Sequence, residues 1–390
     1  MFGYYMPTQL YHGARTLERT GFHARRLGLG HVLVVTDTVI ADKPFFVTAM
    51  DALEGAGLRV TLFDRCLVDA RLTHVDGCVD LVKRQGIDGV LGIGGGSVMC
   101  TAKAVAMTVP NAASFRGCAG PEKCRHKALP MIMIPTTAGS GAEVSQFTLV
   151  KDDATNAKLV GGGWFSFPDV ALLDPVVLET IPRELASIAT VDALSHAVEA
   201  LFTDLATPLT DALALSAFIE LVRCLRDKDD SEDRRTRNLL ASSMANMACG
   251  NARLGLAHAA SLPLEAHFNL VHGIGVGVLL PRVLRFNALV APHKARQLAN
   301  AIGVETTTEG AGDAMFDALI HLFEQIGFPT RFDDDAPFRE SLPAMAEAAL
   351  PGLYGASGSQ NARRSTEVQS PNIRRATARD VLELYQACWR

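Results

Sequence analysis

Three short apolar runs constrain this chain most. His31-Val32-Leu33-Val34-Val35-Thr36, Gly89-Val90-Leu91-Gly92-Ile93 and Met131-Ile132-Met133-Ile134-Pro135 are almost free of polar residues inside and end at glycine, proline or a turn. Runs of that length and texture suit strands buried on both faces. Stretches with helical spacing lie between them: Arg15–Leu27, closed by Gly28 and Gly30, then Phe45–Ala56 and Thr73–Gly86. Arg59–Phe63 adds a strand, and Tyr4–Tyr11 alternates weakly, as an edge strand or hairpin arm does. Strands alternating with helices predict a mostly parallel α/β sheet. Past Pro182 only the helical period persists, through Ala186–Leu205, Leu209–Leu225, Arg235–Cys249, Ala257–Phe268 and Ala311–Ile326. The expected division is an α/β domain over 1–181 and an all-α domain over 182–390. Tyr354–Asn372, rich in Ser, Gly, Asn, Gln and Arg, reads as a mobile loop before a last helix, Thr377–Cys388.

Composition narrows the function classes. The 390 residues are 48% hydrophobic and 20% charged, which fits globular domains with ample core. The charge balance is 37 − 42 = −5, so no general electrostatic pull toward nucleic acid is expected. No apolar run reaches the length of a membrane span, and Met1–Ala14 lacks the pattern of a secretory signal. The eight cysteines are scattered without a Cys-x-x-Cys, as in a reduced, cytoplasmic protein; Cys118 and Cys124 share a loop and could pair, but free thiols are the expectation there too.

Two stretches carry chemistry. In Val191-Asp192-Ala193-Leu194-Ser195-His196-Ala197-Val198-Glu199-Ala200, Asp192 and His196 are four apart and share one helix face. His258 in Gly255-Leu256-Ala257-His258 and His272 in Val271-His272-Gly273 lie in apolar, glycine-rich surroundings. One carboxylate and three imidazoles suit a borderline divalent ion such as Fe²⁺ or Zn²⁺. An Asp-x-x-x-His pair alone is common and carries little weight.

The second stretch is Gly94-Gly95-Gly96-Ser97 between a strand and a helix Ser97–Thr108, with Ser97 near the N-cap. Glycines admit close backbone approach, and the free amides of a helix start face an anion. The stretch is neither Gly-x-Gly-x-x-Gly, which would need glycine at Ser97 or Met99, nor a P-loop, since no Gly-Lys-Ser/Thr follows. A second loop, Pro135-Thr136-Thr137-Ala138-Gly139-Ser140-Gly141-Ala142-Glu143, also follows a buried strand, and its hydroxyls could line a nucleotide. Asp37, at the end of its strand, suits ribose hydroxyls and so favours NAD(H) over NADP(H).

In order along the chain, Gly94-Gly95-Gly96-Ser97 with Ala102-Lys103, Pro135–Val144, Asp192-Ala193-Leu194-Ser195-His196-Ala197-x-Glu199, Gly255–His258 and Val271–Gly273 resemble the iron-containing, or group III, alcohol dehydrogenase family. The resemblance extends to Asn372–Thr377. It implies a nucleotide-binding α/β domain and a helical metal-binding domain, the dehydroquinate synthase-like fold, with an active-site cleft between them. It implies hydride transfer between NAD(P)(H) and an alcohol or aldehyde, and a homodimer or higher homo-oligomer. By register the metal ligands are Asp192, His196, His258 and His272. Cofactor contacts fall on Asp37, Gly95, Gly96, Ser97, Thr136, Thr137, Ser140, Leu149 and Lys158. The substrate pocket falls on Phe147, Cys249, Arg253 and Leu262.

Four positions depart from the family pattern. Cys100 stands where Asp is usual, Leu262 where a further His is frequent, Cys249 where Phe often lines the pocket, and Arg253 where a small residue is usual. The pocket is therefore expected to be wider and less polar, with Arg253 either a surface charge or a contact for an anionic substrate. Two other readings stay open: a metal-independent maleylacetate-type reductase, against which the intact ligand set argues, and a non-catalytic relic that binds metal or nucleotide.

Overall fold

The structure is a computed structural model, and it describes residues 3–332, 340–354 and 371–389. The mobile-loop expectation for Tyr354–Asn372 falls almost wholly outside these residues. The chain divides into two compact units, one of Tyr5–Ile181 with Asp230–Ser243, the other of Met1–Tyr4, Pro182–Asp229 and Met244–Arg390.

The first unit is built on six parallel strands: β1 (Gln9–His12), β2 (His31–Val35), β3 (Arg59–Phe63), β4 (Gly89–Gly94), β6 (Met131–Pro135) and β9 (Val170–Leu173), in the order β1-β9-β6-β4-β2-β3. Every residue of β2, β4, β6 and β9 is buried, which is why the first three read as unbroken apolar runs; β9, four residues long, is not picked out from sequence. A smaller sheet joins β5 (Gly120–Pro121), β7 (Thr148–Lys151) and β8 (Lys158–Gly162), with β7 and β8 antiparallel. Sequence periodicity misses β7 and β8, because such short pieces hold too few side chains to show alternation. The helices of this unit include α1 (Thr20–Arg26), α2 (Thr38–Ala41), α3 (Pro44–Gly55), α4 (Leu72–Gln85) and α5 (Gly96–Asn111). The expected Arg15–Leu27 helix is in fact a 3-10 turn, Leu17–Arg19, followed by α1.

The strand order matters for function. From β2 the chain moves outward to β3, then crosses back to place β4 on the other side of β2. The order therefore reverses between β2 and β4, and the loops after those two strands, at Asp37 and at Gly95, border the crevice where open α/β sheets bind ligands.

Lys103 of α5 is fully buried, and its ammonium donates to three backbone carbonyls: Ala142 at 3.1 Å, Ser145 at 2.5 Å and Phe147 at 2.6 Å. It thus ties the irregular segment after the Thr136–Ser140 loop to the glycine-loop helix. Burial draws the ammonium down to about 8, opposed by the nearby Cys100 and Glu143. Lys103→Met is expected to destabilise the protein by about 3 kcal/mol, because three carbonyls lose a charged donor together. The folded-state value lies below the ordinary 10.5, so between these two pH values the unfolded chain binds more protons. The stability contributed at this position therefore rises with pH across that window. Denaturant titrations of parent and variant check both points: the gap between them should widen from pH 8 to 10.5.

The second unit is helical throughout its described residues. Its helices include α6 (Arg183–Leu201), α7 (Pro208–Arg226), the C-terminal part of α8 (Glu232–Ala252), α9 (Leu256–Phe268), α10 (His272–Ala288), α11 (Pro292–Ala301), α12 (Ala311–Gln325), α13 (Leu342–Tyr354) and α14 (Ala378–Cys388). From Thr190 to Leu201 every residue of α6 is buried, so this is a central helix and not an amphipathic surface one. The glycines of α10 permit close packing: a Cβ on Gly277 would stand 2.6 Å from Val191 of α6, and one on Gly273 would stand 2.8 Å from the Ile188 carbonyl. Sequence periodicity does not pick out α10, α11 and α13; in α10 and α13 an interior proline, and in α10 several glycines, weaken the helical pattern, and α11 is only ten residues long. Asn372 Oδ1 accepts from the Leu256 backbone N–H at 3.2 Å and from Asn287 at 3.0 Å, fixing the start of α9. All eight cysteines are free thiols, including Cys118 and Cys124.

Candidate active site

In the helical unit, α6, α9 and α10 aim four side chains at one point. His196 Nε2 lies 3.8 Å from Asp192 Oδ1, and the Nε2 atoms of His258 and His272 each lie 3.6 Å from it. The imidazoles of His196 and His258 stack at 4.7 Å, and His258 meets His272 at 5.3 Å. Ligand atoms of Asp192, His196 and His258 fall within 4.8 Å of one another, with all three residues buried; His272, at the first turn of α10, is more exposed and completes the ring through Asp192.

Each imidazole is held from its far side. His258 Nδ1 lies 2.6 Å from Glu199 Oε2, and Glu199 also accepts the backbone N–H groups of Gly255 and Ala257 at 3.1 and 2.5 Å. His272 Nδ1 lies 2.6 Å from Glu265 Oε1, which also accepts from Ser261 Oγ. The side-chain amide of Asn246 stands 2.9 Å from His196 Nδ1. Fixing Nδ1 in this way turns Nε2 toward the shared point. Two of the converging atoms, Asp192 Oδ1 and His258 Nε2, are buried and have no hydrogen-bond partner. Buried polar atoms without partners are costly, and a divalent cation among them removes that cost.

Electrostatics agree with that fit. Burial alone would raise the Asp192 carboxyl, but the imidazoles of His196, His272 and His258 outweigh it and hold it below the usual carboxylate range. Burial would likewise lower His258, yet Glu199 and Asp192 together carry it up to about 10. His196, buried with less compensation, is drawn down to about 4. Two buried carboxylates facing three imidazoles therefore hold an extra positive charge, as a metal-binding donor set does.

In the α/β unit the two loops singled out from sequence come together. A Cβ on Gly95 would lie 3.5 Å from Thr137 Cγ2, and one on Gly96 would lie 3.1 Å from Ser140 Cβ. The N-cap of α5 is Gly95, not Ser97; Ser97 lies inside the first turn, and its Oγ accepts the Asp69 N–H at 3.1 Å. Thr136 N donates to the Gly94 carbonyl, which seats the second loop on the first. Asp37 caps α2 by accepting the Ile40 N–H at 2.9 Å, which orients its carboxylate at the end of β2. Leu149 and Lys158 lie on the β7–β8 hairpin, and Thr148 Oγ1 bonds to the Cys100 carbonyl at 2.9 Å, holding that hairpin on α5. Phe147, half-buried, is anchored through its carbonyl to Lys103.

The departures from the family pattern separate in space. Cys249 is buried beside the Asp192–His258 cluster, its Sγ 3.6 Å from Asn246 Oδ1. Burial, Glu199 and Asp192 raise its thiol above the ordinary cysteine range, so it packs as an apolar group. Leu262 is half-buried on α9, one turn beyond His258. Arg253 is exposed and holds a left-handed backbone, φ 75°, at the turn between α8 and α9. Glu265, Asn246 and Lys103 are the residues that sequence reasoning gave no role in the site. Glu199 was quoted within its motif but given no role either. Its i, i+7 spacing from Asp192 was the available signal, since the two lie on one face of α6.

An α/β unit with paired anion-type loops and a helical unit with a buried Asp-His cluster define the architecture of group III alcohol dehydrogenases. Residues 7–175 match the family described as iron-containing alcohol dehydrogenase, and residues 187–389 match the Fe-containing alcohol dehydrogenase family, C-terminal. The chain is 32% identical to lactaldehyde reductase of Escherichia coli (strain K12), over 94% of each chain. It is 30% identical to 1,3-propanediol dehydrogenase of Citrobacter freundii, over 90% of this chain and 92% of that one. The solved structure of an alcohol dehydrogenase from Oenococcus oeni superposes with a TM-score of 0.91 at 25% identity, covering 100% of both chains. The chain belongs to the iron-containing alcohol dehydrogenase family. It is an oxidoreductase of the NAD(P)-dependent alcohol dehydrogenase and aldehyde reductase class. No described helix is long and apolar enough to cross a membrane.

Proposed function

We propose that the chain holds one divalent metal ion, Fe²⁺ or Zn²⁺, through Asp192, His196, His258 and His272, and uses NAD(H) to interconvert an alcohol and its aldehyde. The observation that carries this reading is the convergence of three Nε2 atoms on Asp192 Oδ1, with two of the atoms buried and unpartnered. A divalent ion there supplies a Lewis acid that polarises a carbonyl oxygen or lowers the pKa of an alcohol. The nicotinamide supplies or accepts hydride. The protein's own part is to orient ligands through Glu199, Glu265 and Asn246, and to offer phosphate contacts at Gly95, Gly96, Ser97, Thr136, Thr137 and Ser140. The remaining proposed cofactor contacts are Asp37, Leu149 and Lys158. We place the enzyme in the cytoplasm as a homo-oligomer, as its family resemblance implies. The intact ligand set disfavours the metal-independent reading.

Asp37 sits at the sheet's point of reversal, so its carboxylate repels a 2′-phosphate. The parent should therefore prefer NADH, and Asp37→Gly should shift the ratio of kcat/KM toward NADPH by about tenfold, the size of one lost charge-assisted contact or repulsion. Cys249 and Leu262 leave a wall without aromatic or imidazole groups, so medium-length or branched aldehydes should outperform two- and three-carbon ones. Each methylene contributes about 1–3 kcal/mol in an apolar pocket. Metal analysis combined with NADH and NADPH oxidation over a series of aldehydes of rising length, with and without a terminal anion, tests the reading. A parent that prefers NADPH, or is fastest on acetaldehyde, contradicts the corresponding part. An Arg253→Ala variant with an unchanged preference between neutral and anionic aldehydes would leave Arg253 a surface charge.

A further inference from the structure

The α/β unit carries a pocket unrelated to the loops described above. It has a volume of about 280 Å³ and is walled by Tyr11 and His12 at the end of β1, by Thr16, and by Arg19, Phe22, His23 and Arg26 of the following helical segment. Its charge is one-sided. Arg19 and Arg26 bracket the Phe22 ring, with guanidinium carbons 4.8 and 5.8 Å from its centroid. Glu18, the acid nearest in sequence, is committed to Arg15 through contacts of 2.7 and 2.8 Å. Among the described residues neither Arg19 nor Arg26 has a carboxylate within ion-pair distance. Among the described residues the one hydrogen bond of Arg26 is to the Tyr11 hydroxyl, at 3.5 Å.

Two further groups point to a ligand. Thr16 Oγ1 is buried and has no hydrogen-bond partner, although hydroxyls in such positions are normally satisfied. His23 is only 3% exposed, and its ring is tilted against Tyr11 at 4.3 Å and set edge-on to Phe22 at 5.2 Å. Burial first, then the charges of Arg19 and Arg26, hold its imidazole below the ordinary range, a sign of the positive field in this pocket. Two guanidiniums without carboxylates suit an anion with several acceptor oxygens, the orphan hydroxyl suits one more contact, and the rings suit a flat group.

We propose that this pocket binds a small phosphomonoester dianion carrying a flat ring, with Arg19 and Arg26 on the phosphoryl oxygens and Tyr11 and Phe22, backed by the buried His23, against the ring. The site is separate from the glycine loop, so it is tested with the cofactor site filled. Titration calorimetry of the full chain saturated with NAD⁺ measures binding of phenyl phosphate and of inorganic phosphate. Phenyl phosphate is expected to bind at least tenfold more tightly than inorganic phosphate, and the double variant Arg19→Gln, Arg26→Gln to lose at least tenfold in affinity. Thr16→Val should weaken binding less. Both arginines are exposed, so the double variant should fold, and its melting temperature should match the parent's. Unchanged affinity in the double variant, no saturable binding of either probe, or equal affinity for the two would overturn the proposal. A crystal soaked with phenyl phosphate gives an independent answer: the ligand between Arg19 and Arg26 supports it, and a ligand found only elsewhere refutes it.

Discussion

If the proposed metal site is right, His258→Ala is expected to abolish divalent-metal binding and to lower turnover by about 100- to 1,000-fold, the several kcal/mol that a Lewis acid contributes to a hydride-transfer barrier. The reason lies in what surrounds the imidazole. His258 Nε2 is buried without a hydrogen-bond partner and lies 3.6 Å from Asp192 Oδ1, while Nδ1 is held by Glu199. Alanine removes the central imidazole of three and leaves Glu199 a buried carboxylate without its cation. Breaking a buried charged pair costs about 3–5 kcal/mol, so the variant should also melt earlier. Metal content must therefore be measured well below the variant's melting temperature, on protein with a native circular dichroism spectrum. Full metal occupancy with an unchanged rate would remove His258 from the ligand set. Loss of stability with full occupancy would make it a packing residue.

The fold is largely legible in the chain and the candidate site in part, for physical reasons. The buried strands of the α/β unit leave no room for polar residues, so β2, β4 and β6 stand out as apolar runs with loops that must begin where the runs end. Asp192 and His196 are linked by helix geometry alone. The convergence of His258 and His272 on that pair was legible only through family register, because α9 and α10 reach the site by tertiary packing. What spacing does not reveal is which carboxylate or amide stands behind each imidazole. Glu265 lies seven residues before His272 with a turn between, and Asn246 comes from a different helix altogether.

The same limit explains the misplaced cap. Ser97 is a good N-cap residue by type, yet the chain spends that hydroxyl on the Asp69 N–H and starts its helix one residue earlier, leaving Gly95 and Gly96 facing Thr137 and Ser140. Local preference was overruled by the need for close approach between two loops. Arg253 is the opposite case. A non-glycine residue with φ 75° holds a conformation that costs about 1 kcal/mol or more, and only the surrounding turn between α8 and α9 imposes it. No periodicity could show that.

Glu199→Gln is expected to weaken metal binding by about 10- to 100-fold while leaving turnover at saturating metal much less affected. The carboxylate sits on α6 on the same face as Asp192, two turns along, and it gathers His258 Nδ1 and the backbone N–H groups of Gly255 and Ala257 in a single buried position. Burial alone would raise its pKa, but His258 and those two N–H groups outweigh burial and keep it below the ordinary value, so it is a carboxylate. As a carboxylate it makes the His258 imidazole a stronger donor at Nε2 and fixes the ring's rotation; glutamine keeps the size and loses the charge. Glutamine also places an amide donor where the site supplies donors already, so one buried contact becomes repulsive. Metal titrations followed by activity at each metal concentration separate the two roles. A rightward shift of the metal curve, with recovery of most of the rate at high metal, is the signature of a residue acting through His258. An unchanged curve with a lowered melting temperature would show that Glu199 serves only to hold the start of α9 in place.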